Sequence, residues 1–213
     1  MSTVRPLRPL RQDAARNRER LVLAARAMFR RKGLDVPLEE IAREAGVAIG
    51  TLYNRFPTRG ELADAALGPM AQQAAELAEK ASRAEDPWQG FAAYIEDTCA
   101  LFAADRGFAD VYRSRIPGAP VIAAAQERLF ALKAAIVERA QRSGQLRADV
   151  APPDIAVIIW GIAASMDATR DVAPDAWRRH LALALDGLRA GVTAHPLPVP
   201  PLTARQLRDA RPR

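Results

Sequence analysis

Residues 36–62, VPLEEIAREAGVAIGTLYNRFPTRGEL, constrain this chain more than any other stretch. A short helix is expected from about Leu38 to Ala45, with Glu39 and Glu40 in the first turn, where the helix dipole favours negative charge. Gly46 breaks it, and a second helix is expected from about Ala48 to Phe56, ended by Pro57. Two short helices joined by one glycine turn make a helix-turn-helix. Ile41, Ala45, Val47 and Leu52 fall where the small core between the helices must be filled. Ala42 has to be small because the next helix crosses close above it, and Gly46 lets the chain turn where a Cβ would clash. The second helix then presents Gly50, Thr51, Asn54 and Arg55, an outer face short and polar enough to enter a DNA major groove.

The charge gathers around this segment. The formal net charge is +6, yet residues 1–60 hold 13 Lys/Arg against 6 Asp/Glu, while residues 61–213 hold 18 against 19. A surface made basic only for solubility would spread its charge along the chain. The first quarter is therefore expected to be a module for an anionic partner, nucleic acid or a membrane surface. The apolar fraction, 49%, is enough for a real core. The single cysteine, Cys99, excludes an internal disulfide and fits a small buried hydrophobe better than a reactive sensor. The N-terminus lacks the apolar run of a signal peptide, and the longest apolar run, Ile155 to Ala164, is about half a bilayer span. A soluble, cytoplasmic protein without a membrane partner is expected. There is no glycine-rich phosphate loop, cysteine pair or Ser-His-Asp arrangement to suggest an enzyme. His180 and His195, the only histidines, form no ligand-spaced cluster, so neither metal nor cofactor is expected.

The remaining pattern is helical throughout, predicting an all-α chain of about nine helices. Residues 1–12, with Arg5, Arg8 and Arg11, read as a flexible basic arm. Leu21, Ala25, Met28 and Phe29 form the stripe of an amphipathic helix over Asp13–Lys32, stopped by Gly33. Thr58 is an N-cap for a fourth helix that Gly68-Pro69 should kink or divide. Trp88, Phe91, Ala92, Ile95, Cys99 and Phe102 make a further stripe, and a short helix follows around Phe108–Arg113. Ile122, Ala125, Leu129, Leu132 and Ile136 repeat as in a helix lying along another helix. A helix of about Asp154–Arg170 is apolar all round at Ile155–Ala164 and must be buried on more than one side. Pro174-Asp175 opens the last one, which carries Trp177, Leu181, Ala184, Leu185 and Leu188. From His195 onward five prolines predict a disordered tail. The expected division is an arm at 1–12, a DNA-binding domain at 13–66, a second domain at 67–194 and a tail at 195–213.

Ile41, Ala42, Ala45, Gly46 and Val47, then Gly50, Thr51, Leu52, Tyr53 and Phe56, then Thr58, Arg59 and Leu62 resemble the signature of the TetR family of bacterial regulators. The match covers roughly residues 13–65. The resemblance implies a sequence-specific DNA-binding repressor that leaves a palindromic operator when a small molecule enters its C-terminal bundle. An activator or ligand-independent regulator of the same fold is the alternative. Tyr53, Thr58 and Arg59 are similar to the family's phosphate contacts, and Thr51 and Asn54 to its base-facing positions. Asn reads adenine bidentately, and the Thr methyl can meet a thymine methyl. Arg55 is expected at a phosphate or a guanine. The sequence also departs from the pattern: Pro37 and Ala48 replace hydroxyl residues, Ile49 replaces a polar one, and Gly60 stands at an often acidic position. For the C-terminal domain the resemblance implies a homodimer through the last two helices. It also implies a cavity for a mostly apolar effector, for which Trp88, Phe91, Tyr94, Ile95, Phe102, Tyr112, Trp160 and Met166 are the candidate lining.

Overall fold

The computed structural model describes residues 8–191 and 197–209. Ten helices follow one another in this part of the chain: α1 (Arg8–Lys32), α2 (Leu38–Glu44), α3 (Ile49–Arg55), α4 (Arg59–Ser82), α5 (Pro87–Ala104), α6 (Arg106–Arg113), α7 (Pro120–Arg142), α8 (Pro152–Thr169), α9 (Ala176–Leu188) and α10 (Ala204–Asp209). The only β pairing among the described residues is one isolated bridge, Leu146 to Arg189. The protein is all-α, as its periodicities predict.

Several ends differ from the sequence reading. α1 starts at Arg8 rather than Asp13, with Pro9 in its first turn, where a missing N–H has no helical partner to lose. Residues 1–7 of the basic arm lie outside the described residues. The Gly68-Pro69 step, expected to kink or divide the fourth helix, lies within one continuous α4. A proline inside a helix costs about 3 kcal/mol. Here the flanking alanine ladder, Ala63, Ala66, Ala71, Ala74, Ala75 and Ala78, is buried, chiefly against α7, and offsets that cost. The proline-rich tail contains α10, started by a reciprocal cap in which the Thr203 hydroxyl accepts from Gln206 N and Thr203 N donates to Gln206 Oε1. Residues 192–196 and 210–213, His195 among them, lie outside the described residues.

Two hydrophobic cores form, and α4 passes from one to the other. The first gathers Leu21, Phe29, Ile41, Leu52, Leu62 and Leu67 with Val111, Ile122 and Ala125. The second gathers Trp88, Phe91, Ile95, Phe102, Phe108, Ile136, Ile159 and Trp177. The first core thus draws residues from α6 and α7, well beyond the segment expected to form the N-terminal domain.

Interhelical caps lock this arrangement. Ala119 offers α7 no side-chain cap. The Asp64 carboxylate of α4 accepts instead from Val121 N at 3.2 Å and Ile122 N at 2.9 Å. Asp105, buried before α6, accepts from Phe108 N at 3.0 Å, and burial pushes its carboxyl above the usual range. α8 is covered on one side only: Ile155, Ile159, Ile162 and Met166 are buried, whereas Val157 remains 43% exposed and Gly161 and Ala164 face outward. No helix among the described residues is long and apolar enough to cross a membrane.

Candidate functional site

The helix-turn-helix places its residues by burial. Ile41, Ala42, Ala45 and Leu52 are buried between α2 and α3, and Val47 is half-buried. Gly46 carries the turn at φ +63°, a left-handed conformation that a side chain would strain, and its carbonyl accepts from Arg20 Nη2 at 3.2 Å. With Leu52 inward, α3 turns Ala48, Ile49, Gly50, Tyr53, Asn54 and Arg55 outward, and Thr51 is half-buried. Ile49 and Tyr53, 37% and 45% exposed, stand on this outward face. Pro37 and Ala48 stand at the starts of α2 and α3 and give no side-chain cap. Phe56 is buried, under the Arg18 guanidinium at 5.3 Å from its ring centre.

Two of the expected phosphate contacts are engaged within the protein. Thr58 caps α4, its exposed hydroxyl accepting from Glu61 N at 3.1 Å. Arg59 is turned inward: Nη1 donates to the carbonyls of Leu34 at 2.5 Å and Val36 at 2.7 Å. It braces the loop between α1 and α2 against α4, since those two carbonyls have left the helical ladder and need donors.

Gly60 gains a physical reason. A Cβ there would overlap the carbonyl oxygen of Pro117, in the loop between α6 and α7. The loop thus rests directly on the first turn of α4, next to the recognition helix. Asp110 of α6 joins the same junction, accepting from Leu34 N at 2.9 Å through one oxygen and from Arg113 at 2.9 Å through the other. Gln126 Nε2 holds the end of α6 through the carbonyls of Val111 at 2.6 Å and Ser114 at 2.9 Å. Sequence reading missed Asp64, Asp110, Pro117 and Gln126. They act between positions far apart in the chain, and no local periodicity marks them; the only hint was the glycine standing where an acid is usual.

That loop also walls a cavity of about 590 Å³. Ser114, Arg115, Ile116 and Pro117 form one wall, Leu129, Phe130 and Lys133 of α7 a second, Ala156 and Trp160 of α8 a third, and Leu207 of α10 touches it. Of the eight candidate lining residues, only Tyr112 and Trp160 border this space. Phe91 and Tyr94, with Tyr112, line a gap of only about 10 Å³ behind it. Phe102 and Met166 border a separate polar space of about 240 Å³ beside Lys32, Asp110 and Arg170. Trp88 and Ile95 are core residues that border none of the three. The reason is topological: α4, α6, α7 and α8 all pack on α5, so its aromatic stripe faces helices on every side. Trp88 packs on Phe91 at 5.5 Å and Phe102 on Tyr112 at 5.0 Å between ring centres. The Tyr94 and Tyr112 hydroxyls are 2.7 Å apart, and burial raises both above the ordinary tyrosine range.

Cys99 is fully buried, and burial pushes its thiol up to about 12. The nucleophile is the thiolate, scarce at neutral pH in such a site. We expect the native protein at pH 7.5 to take up almost no thiol-specific label, and to take up one equivalent after denaturation. Rapid native labelling would show that α5 opens.

Residues 21–66 match the family described as bacterial regulatory proteins, tetR family, and residues 86–190 match the one described as transcriptional regulator SbtR-like, C-terminal domain. A TetR transcription regulatory protein from Mycobacterium vanbaalenii is 31% identical, with 85% of this chain and 100% of that one covered and a TM-score of 0.50. A TetR transcriptional regulator from Streptomyces coelicolor is 30% identical, with 82% and 99% covered and a TM-score of 0.53. An HTH-type transcriptional regulator of Staphylococcus aureus is 35% identical over 54 residues, 25% of this chain; the chain spans only 29% of the length of that curated relative.

Proposed function

The chain belongs to the TetR family of bacterial regulatory proteins, and from that premise we propose that it is a homodimeric transcriptional repressor whose hold on a palindromic operator is released by a small molecule. The observation that carries this reading is the shared loop. Residues 114–117 wall the large cavity, and Pro117 rests on Gly60 one turn from the recognition helix. An occupant that displaces the loop displaces the start of α4, and with it the spacing of two reading heads that must stand roughly 34–36 Å apart to meet successive major grooves. A ligand can act only through its differential affinity for the two spacings.

At the DNA, Asn54 and Thr51 read base edges, while Tyr53, Arg55 and Thr58 hold phosphates. Ala48, Ile49 and Gly50, exposed at the start of α3, approach the groove, and Pro37, exposed at the start of α2, joins them in the contact. Arg59 keeps the module's shape. The dimer forms through α8 and α9, where Val157 and Gly161 of α8 are exposed, as are Leu183, at 60%, and Gly187 of α9. The aqueous partners of this reading, DNA and a diffusible effector, place it in the cytoplasm.

The test is selection of bound sequences from random duplex DNA at fixed salt. A palindromic motif is the expected result, and an unstructured pool would refute specific recognition. Asn54→Ala should broaden the motif at one position, at about 1–3 kcal/mol per base pair. Arg55→Ala should instead leave the motif intact and flatten the salt dependence of log K by about 1–2 units per dimer. Two variants with the same phenotype would remove this division of roles.

A further inference from the structure

We propose that the effector is an amphipathic carboxylate, an anion with an apolar or aromatic body, whose charge is received by Lys133. This rests on the reading of the large cavity as the effector site, and it revises the expectation of a chiefly apolar ligand. Lys133 borders both the cavity and the narrow gap behind it, so its ammonium stands at the inner end of the open space. Its Nζ lies 4.0 Å from the centre of the Tyr112 ring. Among the described residues no carboxylate pairs with it, although an ammonium has three donors to satisfy. The ring face attracts a cation but accepts no strong hydrogen bond, so the three donors remain available. Desolvation lowers the group to about 8, still largely charged at neutral pH.

The rest of the lining suits the same ligand. Arg113 and Arg115 add positive charge, and the one acid, Glu127, is exposed at the rim. Arg113 is already paired with Asp110 and Arg115 is exposed, which leaves Lys133 as the inner receptor. Beside the cations Ile116, Leu129 and Phe130, and on the third wall Ala156 and Trp160, offer apolar surface to a hydrocarbon or aryl body. A volume of about 590 Å³ is ordinary for a small-molecule site. A neutral ligand would bury the ammonium without a partner, whereas a carboxylate supplies a charge-assisted hydrogen bond in a partly dry setting.

The experiment uses the full-length protein without DNA and three matched pairs: decanoate, cinnamate and naphthoate, each beside its methyl ester. Binding is read by calorimetry and by tryptophan fluorescence, since Trp160 borders the cavity. At least one acid should bind about tenfold or more tightly than its ester. Lys133→Met should erase that preference, leave the ester's affinity unchanged and leave the melting temperature no lower. Acids and esters binding alike would overturn the proposal while leaving an apolar effector site standing. Binding by none of the six would overturn it as well, and a preference that survives in Lys133→Met would overturn the role of Lys133. Selection of DNA sequences by the ligand-free protein reads the regulator function independently, so that failure is distinguishable from this one.

Discussion

Gly161→Arg should convert the proposed dimer to a monomer at micromolar concentration and remove most of its operator affinity. A Cβ built on Gly161 meets nothing within 4 Å, and the same is true of Gly187 on α9. Position 161 is exposed, so the longer side chain has solvent to extend into, and helix propensity favours Arg over Gly by up to about 1 kcal/mol. What it disturbs is the small-residue surface through which α8 and α9 are proposed to meet their symmetry mates, placing two cations together where backbones need close approach. Two linked reading heads gain about a hundredfold to ten-thousandfold in affinity over one, and a monomer forfeits that gain. Light scattering, circular dichroism and a binding titration on a selected palindrome check the three parts. A dimer that persists in Gly161→Arg would move the interface elsewhere. A monomer that binds as tightly as the parent would end the two-headed account of recognition.

Gly60→Ala should cost stability and disconnect the two domains. Helix propensity alone would favour alanine by about 1 kcal/mol. The added methyl, however, occupies the position of the Pro117 carbonyl, a backbone group that cannot rotate away. Overpacking of this kind costs about 1–3 kcal/mol, which in a chain of this size lowers the melting temperature by roughly 2–4 °C per kcal/mol. The functional effect should be larger. With the loop pushed off α4, occupation of the cavity should no longer produce the proposed shift of the recognition helix. A coupling of about 1–3 kcal/mol, 5- to 150-fold in operator affinity, would then shrink towards none, and by reciprocity so would the effect of DNA on ligand affinity. Gly50→Ala is the contrast, because its Cβ meets nothing within 4 Å and its melting temperature should hold or rise. If Gly60→Ala melts higher than the parent and responds to ligand as before, the contact between loop and helix carries no signal.

The sequence by itself determined what depends on neighbours three or four residues apart. The glycine at 46, the cap at Thr58 and the apolar stripes of α1 and α5 each act within one or two turns, so the helices were legible, though several of their ends were not. The outward face of α3 was legible for the same reason: once Leu52 points inward, helical geometry sends Asn54 and Arg55 out. Tertiary structure decided everything that needs two distant segments. A stripe such as Trp88, Phe91, Ile95 and Phe102 shows that a helix is buried, and is the same whether its neighbour is a ligand or another helix. Here α4, α6, α7 and α8 surround α5 and make that stripe core, while the open cavity falls beside α7 and the loop before it. Proline 69 reads locally as a break, and only the alanine ladder packed on α7 overrides it. Arg59 reads as a surface cation until the carbonyls of Leu34 and Val36, more than twenty residues upstream, arrive beside it. Lys133 reads as one more solvated charge on a helix until Tyr112 covers it, because burial of a charge is a property of the packing around it and not of the sequence on either side.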